Sequence, residues 1–211
     1  LKTFWPDAAA AWTKSEGSPS ADARYWCFMV DDAKWTSLGV FTWDAATDSI
    51  IGTYATRGDR PDHVSMSPSG KYCVVSSNGP RGTVAFTRDF SEQRQLLHRS
   101  EHSDLAFDAH GDDVYVSVDY QSKSGELFMT KLSTGARTTL LPTYVNGTST
   151  ALHVSGKAFR KRGWAVVSTF AQGGTRVPQW LHGKVLAVQL TANPKIFVLA
   201  NHRTVENGYW T

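Results

Sequence analysis

The chain carries few of the short motifs that announce a chemistry. Its 211 residues include two cysteines, Cys27 and Cys73, too few for a disulfide framework and without the C-x-x-C spacing of a zinc or redox site. No H-E-x-x-H motif, EF-hand loop or G-x-S-x-G elbow occurs, so zincin, calcium-sensor and serine-hydrolase readings have no anchor. Gly173-Gly174 lacks the following Lys-Ser/Thr of a phosphate loop. No run of 18 apolar residues is present, so no membrane-spanning helix is expected. The net charge of +3 and pI of about 8.9 come from scattered basic residues, unlike the clustered footprint of a nucleic-acid binder. The chain starts at Leu1 with neither initiator Met nor signal peptide, and reads as processed or trimmed.

Aromatic residues, by contrast, are plentiful at 12%, with eight tryptophans. That suits β-structure or a surface that stacks on ligands. Both cysteines sit inside apolar runs and read as two buried thiols, with a disulfide as the alternative. Asn146-Gly147-Thr148 is a glycosylation sequon that also reads as a plain turn.

Self-comparison gives the main signal. "PSADARYWCFMV" (19–30), "SPSGKYCVVSS" (67–77), "DAHGDDVYVSVD" (108–119) and "FRKRGWAVVSTF" (159–170) each place a turn before a run rich in Val, Tyr, Trp, Phe and Cys. Ala23, Gly70, Gly111 and Gly163 fall at equivalent positions, about 45 residues apart. A small residue fits there because tight turns often need positive φ. Downstream, "TWDAATDSI", "TKLSTGART" and "VQLTANPKI" place polar turn residues between two strands. Each unit is thus about four short antiparallel strands, and no segment shows helical periodicity. An all-β propeller is expected, with units over about 18–58, 59–98, 99–145 and 146–200 of one domain; an ordinary β-sandwich is the alternative. Residues 1–17 read as the tail of a preceding blade or an outer connection, and 201–211 as the approach to a further blade. A propeller must close to remove its sheet edges. The expectation is therefore a partial ring from a larger propeller whose remainder is missing, or else a closed four-bladed ring.

Ser67-Pro68-Ser69-Gly70-Lys71-Tyr72 is similar to the blade signature of TolB-like, WD-type propellers, with Ser in place of Asp, and Asp108 to Asp113 matches more loosely. The resemblance covers the chain from about residue 18 and implies a fold, not an activity. Three histidines travel with the repeat: His63, His102 and His153 each precede a unit's turn glycine. In a propeller the equivalent entry positions of successive blades surround one axial pocket, so these imidazoles are expected to converge as a metal or acid–base site. Asp62, Glu101 and Asp104 stand beside them. The alternative is that each histidine makes a structural hydrogen bond in the channel.

At the level of fold and channel histidines, the chain also distantly resembles oligogalacturonate lyases, propellers that hold manganese through histidines. The resemblance implies a secreted or periplasmic enzyme, a manganese-like divalent cofactor and β-elimination on an acidic glycan. His63, His102 and His153 would then be metal ligands. Arg60 or the metal would stabilise the enolate, and His102 or Tyr120 would take the C5 proton. Arg176, Gln179 and Trp180, in a Gly-rich insertion (171–180), are ligand-contact candidates, and Trp35 is another aromatic placed near a turn. The competing expectation is a non-catalytic scaffold for a small ligand, glycan or protein partner.

Overall fold

A computed structural model describes residues 1, 3–13, 17–148, 150–171 and 179–202. Among them are sixteen strands and no helix: β1 (Ala10–Trp12), β2 (Tyr25–Asp31), β3 (Ser37–Asp44), β4 (Ser49–Tyr54), β5 (Pro61–Met66), β6 (Tyr72–Ser77), β7 (Thr83–Thr87), β8 (Gln93–Leu97), β9 (Ser103–Phe107), β10 (Asp113–Asp119), β11 (Glu126–Lys131), β12 (Arg137–Pro142), β13 (Thr150–Ser155), β14 (Trp164–Ala171), β15 (Lys184–Gln189) and β16 (Ile196–Asn201). They form four four-stranded sheets, each an antiparallel meander in chain order. This is the all-β, blade-by-blade organisation expected of a propeller. The first sheet departs from expectation in one respect. Its opening strand, β1, comes from the segment read as a tail or outer connection, and Ala10 pairs with Asp31. At three residues, β1 carries too short an alternation to stand out in the sequence.

Two compact units divide the chain. One comprises residues 1–100 with 132–135, the other residues 101–131 with 136–211. In the first unit, the first two sheets share a core of Cys27, Met29, Val40, Val64, Met66, Cys73 and Phe86. In the second, Ala106, Val116, Leu127, Leu152, Val167 and Leu186 do the same for the third and fourth sheets. Each buried Val, Leu, Met or Phe among them contributes roughly 1.5–3 kcal/mol of transfer free energy. The two cysteines are not separate thiols. Cys27 on β2 and Cys73 on β6 form a disulfide, with Cα atoms 5.7 Å apart. Core-facing positions on neighbouring sheets bring them together, a proximity that a separation of 46 residues hides.

The repeat's turn is chemically alike in the first three units, while in the fourth the Gly163 N–H donates to the Phe107 carbonyl at 2.9 Å. Ala23 and Gly70 donate their backbone N–H groups to the carbonyls of Ser20 and Ser67, both at 2.8 Å, and Gly111 donates to the carbonyl of Asp108 at 3.1 Å. The side chain at the turn's first position then caps the returning strand: Ser20 Oγ accepts the Tyr25 N–H, Ser67 Oγ the Tyr72 N–H, and Asp108 Oδ1 the Asp112 N–H. All four equivalent positions are left-handed, with φ of 59° at Ala23, 74° at Gly70, 87° at Gly111 and 81° at Gly163. Only glycine adopts that region without a Cβ penalty. Ala23→Gly is therefore expected to stabilise the chain by roughly 0.5–1 kcal/mol. Gly70→Ala is expected to cost more than that, because its Cβ would also strike the Tyr25 ring. Urea midpoints at constant slope measure both; a destabilised Ala23→Gly would contradict the assignment.

Candidate functional site

The first strand of each sheet and the residues leading into it carry most of the sequence's candidate chemistry. His63 lies on β5 opposite Ser76, just past a bulge between Pro61 and His63. It is buried, with Nδ1 3.4 Å from Asp62 Oδ2. The same Asp62 oxygen accepts a hydrogen bond from Ser100 Oγ at 3.0 Å. His153 lies on β13 opposite Ser168 and is exposed. His102 stands one residue before β9, and its carbonyl accepts a hydrogen bond from Ser117 Oγ at 3.0 Å. The rings of His102 and His153 pack with centroids 4.1 Å apart at 47°. His63 belongs to one compact unit and this pair to the other.

Within neither unit do three His, Cys, Asp or Glu side chains gather, among the described residues, in a way that could hold a metal ion. Beside the His102–His153 pair, the buried Asp104 carboxylate already accepts the N–H groups of Leu105 at 2.8 Å and Gly156 at 2.9 Å. It ties β9 to the chain leaving β13.

Three other candidates, Arg60, Tyr120 and Gln179, make hydrogen bonds within the fold. Arg60 Nη2 reaches Asp31 Oδ2 at 2.9 Å, and that fully buried carboxylate also accepts Trp12 Nε1–H at 2.8 Å. The Arg60 guanidinium lies 5.3 Å from the Trp12 ring centroid, so its charge is matched on two sides. Tyr120 Oη accepts the Leu152 N–H at 2.9 Å, and the Tyr120 carbonyl accepts Tyr144 Oη–H at 3.1 Å. Gln179 is buried: Nε2 donates to Thr150 Oγ1 at 2.7 Å, and Oε1 accepts the Leu181 N–H at 2.9 Å. Trp180 next to it is exposed. Arg176 lies outside the described residues.

Two further features stand out: Trp35, expected from the sequence as an aromatic near a turn that could stack on a sugar ring, and His182, which the sequence did not single out. Trp35 is 59% exposed, has φ of 63°, and packs its ring 5.5 Å from Trp12. Left-handed backbone is costly for so bulky a residue. It is imposed by Asp32, whose carboxylate accepts the N–H groups of Lys34 and Thr36, both at 2.8 Å. The Asp-x-x-x-Thr spacing was the available signal. His182 is the second: its Nε2 is buried without a hydrogen-bond partner, and burial holds the imidazole below its ordinary pKa of 6.5. A depressed imidazole pKa means that the unfolded chain takes up the proton first. The stability this group supports is complete above pH 6.5 and is lost as pH falls through the folded-state value. In an NMR titration, the His182 ring should change charge below pH 6.5; a midpoint at or above it would contradict the burial.

No protein-family profile and no curated protein sequence matches the chain. Solved structures do. The Cps50 (Swd1) β-propeller domain of Myceliophteria thermophila matches at TM-score 0.52 and 10% identity, over 92% of this chain and 58% of that one. An oligogalacturonate lyase in complex with manganese matches at TM-score 0.51 and 10% identity, over 93% and 55%. TolB of Acinetobacter baumannii matches at TM-score 0.49 and 14% identity, over 90% and 43%. The chain spans about half the length of the solved structures it matches. At these identities the likeness concerns the fold alone, and in fold the chain resembles a β-propeller.

Proposed function

We propose that the chain is a non-catalytic binding scaffold made of propeller blades, working in an oxidising compartment outside the cytoplasm. The observation that carries this reading is the engagement of its candidate catalytic groups. Arg60 is paired with buried Asp31, and the Tyr120 hydroxyl accepts a backbone N–H from Leu152. A group with its charge or lone pair so engaged is poorly placed to stabilise an enolate or take a proton. The export reading is supported by the Cys27–Cys73 disulfide, since such bonds persist where thiols are not kept reduced. Contact with a partner falls to exposed indoles, Trp35 and Trp180, whose faces suit a sugar ring or an apolar side chain.

A second reading, a lyase of acidic glycans, is favoured by the packed His102–His153 pair and the exposure of His153. Incubation with polygalacturonate, with and without added manganese, separates the two. The scaffold reading expects no ultraviolet-absorbing unsaturated ends. Their steady accumulation, abolished in His102→Ala, would replace it with the lyase.

A further inference from the structure

The four sheets are not covered alike. Along β6, β7, β10 and β11, almost every side chain of both alternating sets is buried. On β14 only one set is: Ala165, Val167 and Thr169 are buried, while Val166 and Ser168 are exposed and Trp164 and Phe170 are half-buried. Phe197 of β16 is exposed, and its ring lies 5.6 Å from that of Trp164 on the same open face. The first sheet also has an open face. Cys27 and Met29 turn to the core, while Trp26, Phe28 and Trp43 on the opposite side remain partly exposed. Trp26 and Phe28 stack there at 5.5 Å, and Phe41 joins them. Two aromatic sheet faces on one chain are thus only partly covered, although side chains of that kind are normally packed against another sheet in a protein interior.

Their charges are opposite. Between Ala151 and Ala200 every ionisable residue other than histidine is basic: Lys157, Arg160, Lys161, Arg162, Arg176, Lys184 and Lys195. Between Leu1 and Thr56 the buried Asp31 is matched by Arg60 and Asp44 by Arg24, and the other charged side chains among the described residues are Asp7, Asp22, Asp32 and Asp48 against Lys34. Beside the two faces, Asp48 Oδ1 accepts the Trp43 indole N–H at 3.1 Å and Lys161 Nζ lies 5.9 Å from the Trp164 ring centroid. Opposite charges so placed steer the faces together and disfavour either face against itself.

From this complementarity we infer that a second copy of the chain covers these faces, the basic fourth sheet of one copy packing on the acidic first sheet of the other. The contact is heterologous, joining different surfaces on the two copies. Its core is aromatic, with Trp164 and Phe197 facing Trp26, Phe28 and Trp43, and the charged residues form its rim, as in stable interfaces generally.

Light scattering coupled to size exclusion tests the assignment on the purified chain. The expected mass is at least twice the 23.2 kDa of one chain, falling on dilution and with added salt because rim charges are screened. Val166→Arg on one face, or Trp43→Arg on the other, should weaken association at least about tenfold, the loss expected at an interface centre. Circular dichroism controls for folding. Because each variant spoils a different face, an equimolar mixture should recover association that neither shows alone. A chain monomeric at every concentration would overturn the proposal, leaving the faces to further sheets of a longer chain or to an unrelated partner. Association unchanged by both substitutions would overturn it as well.

Discussion

Replacing Cys27 and Cys73 together by alanine should lower the stability of the first unit by about 4 kcal/mol. The bond closes a loop of 46 residues, and the chain-entropy cost of leaving so long a loop open in the unfolded state is of that size. It also joins strands of two different sheets, β2 and β6, across a shared core. Met29, Val64, Met66 and Val75 share the cluster with the two cysteines, and their packing is replaceable in kind. The loss is a large fraction of the 5–15 kcal/mol that holds a typical domain. Urea unfolding of the oxidised, reduced and double-alanine chains measures it. The oxidised chain should stand apart, with the other two close together. Coincidence of all three curves would mean that the bond does not form.

Arg60→Ala should cost roughly 3 kcal/mol, a loss comparable to that from breaking other buried ion pairs. The size of the effect comes from Asp31 rather than from Arg60. Asp31 is fully buried while the arginine side chain is 34% exposed, so deleting the cation strands a carboxylate that cannot reach water. Asp31→Asn should cost less, because it removes the buried charge and leaves Arg60 able to turn outward. Trp12 loses its acceptor only in part, since an amide oxygen can still take the indole N–H. A catalytic Arg60 would behave differently, with activity lost and stability kept. Paired melting and polygalacturonate assays on both variants separate these roles. Equal stability in Arg60→Ala and the wild-type chain would remove the structural reading.

Much of the fold was legible because it is written locally. The Ser20, Ser67 and Asp108 turns, with their left-handed fourth residues, recur as short strings whose chemistry determines their geometry. The strands after them are long enough for alternation to register. β1 was not legible: three residues carry no period, and its role comes from pairing with β2. The disulfide was hidden for a related reason, since only the packing of two sheets puts Cys27 and Cys73 face to face. The histidines fared differently again. Their spacing from the turn glycine suggested one shared position, yet a bulge before His63 and a longer connection after β13 change the register. His63 and His153 sit within ladders, and His102 lies outside the first pair of its own. Counting residues cannot anticipate such shifts. Trp35 was recognisable as an aromatic near a turn, but its left-handed backbone depends on two hydrogen bonds from one carboxylate.

The scaffold reading is tested most directly by calorimetric titration of the purified chain with manganese, alongside a His102→Ala, His153→Ala variant of unchanged fold. The account predicts no stoichiometric binding in either protein, with the histidine pair acting only in packing. One ion bound per chain, lost in the variant, would contradict it and restore the histidines to the centre of a catalytic site.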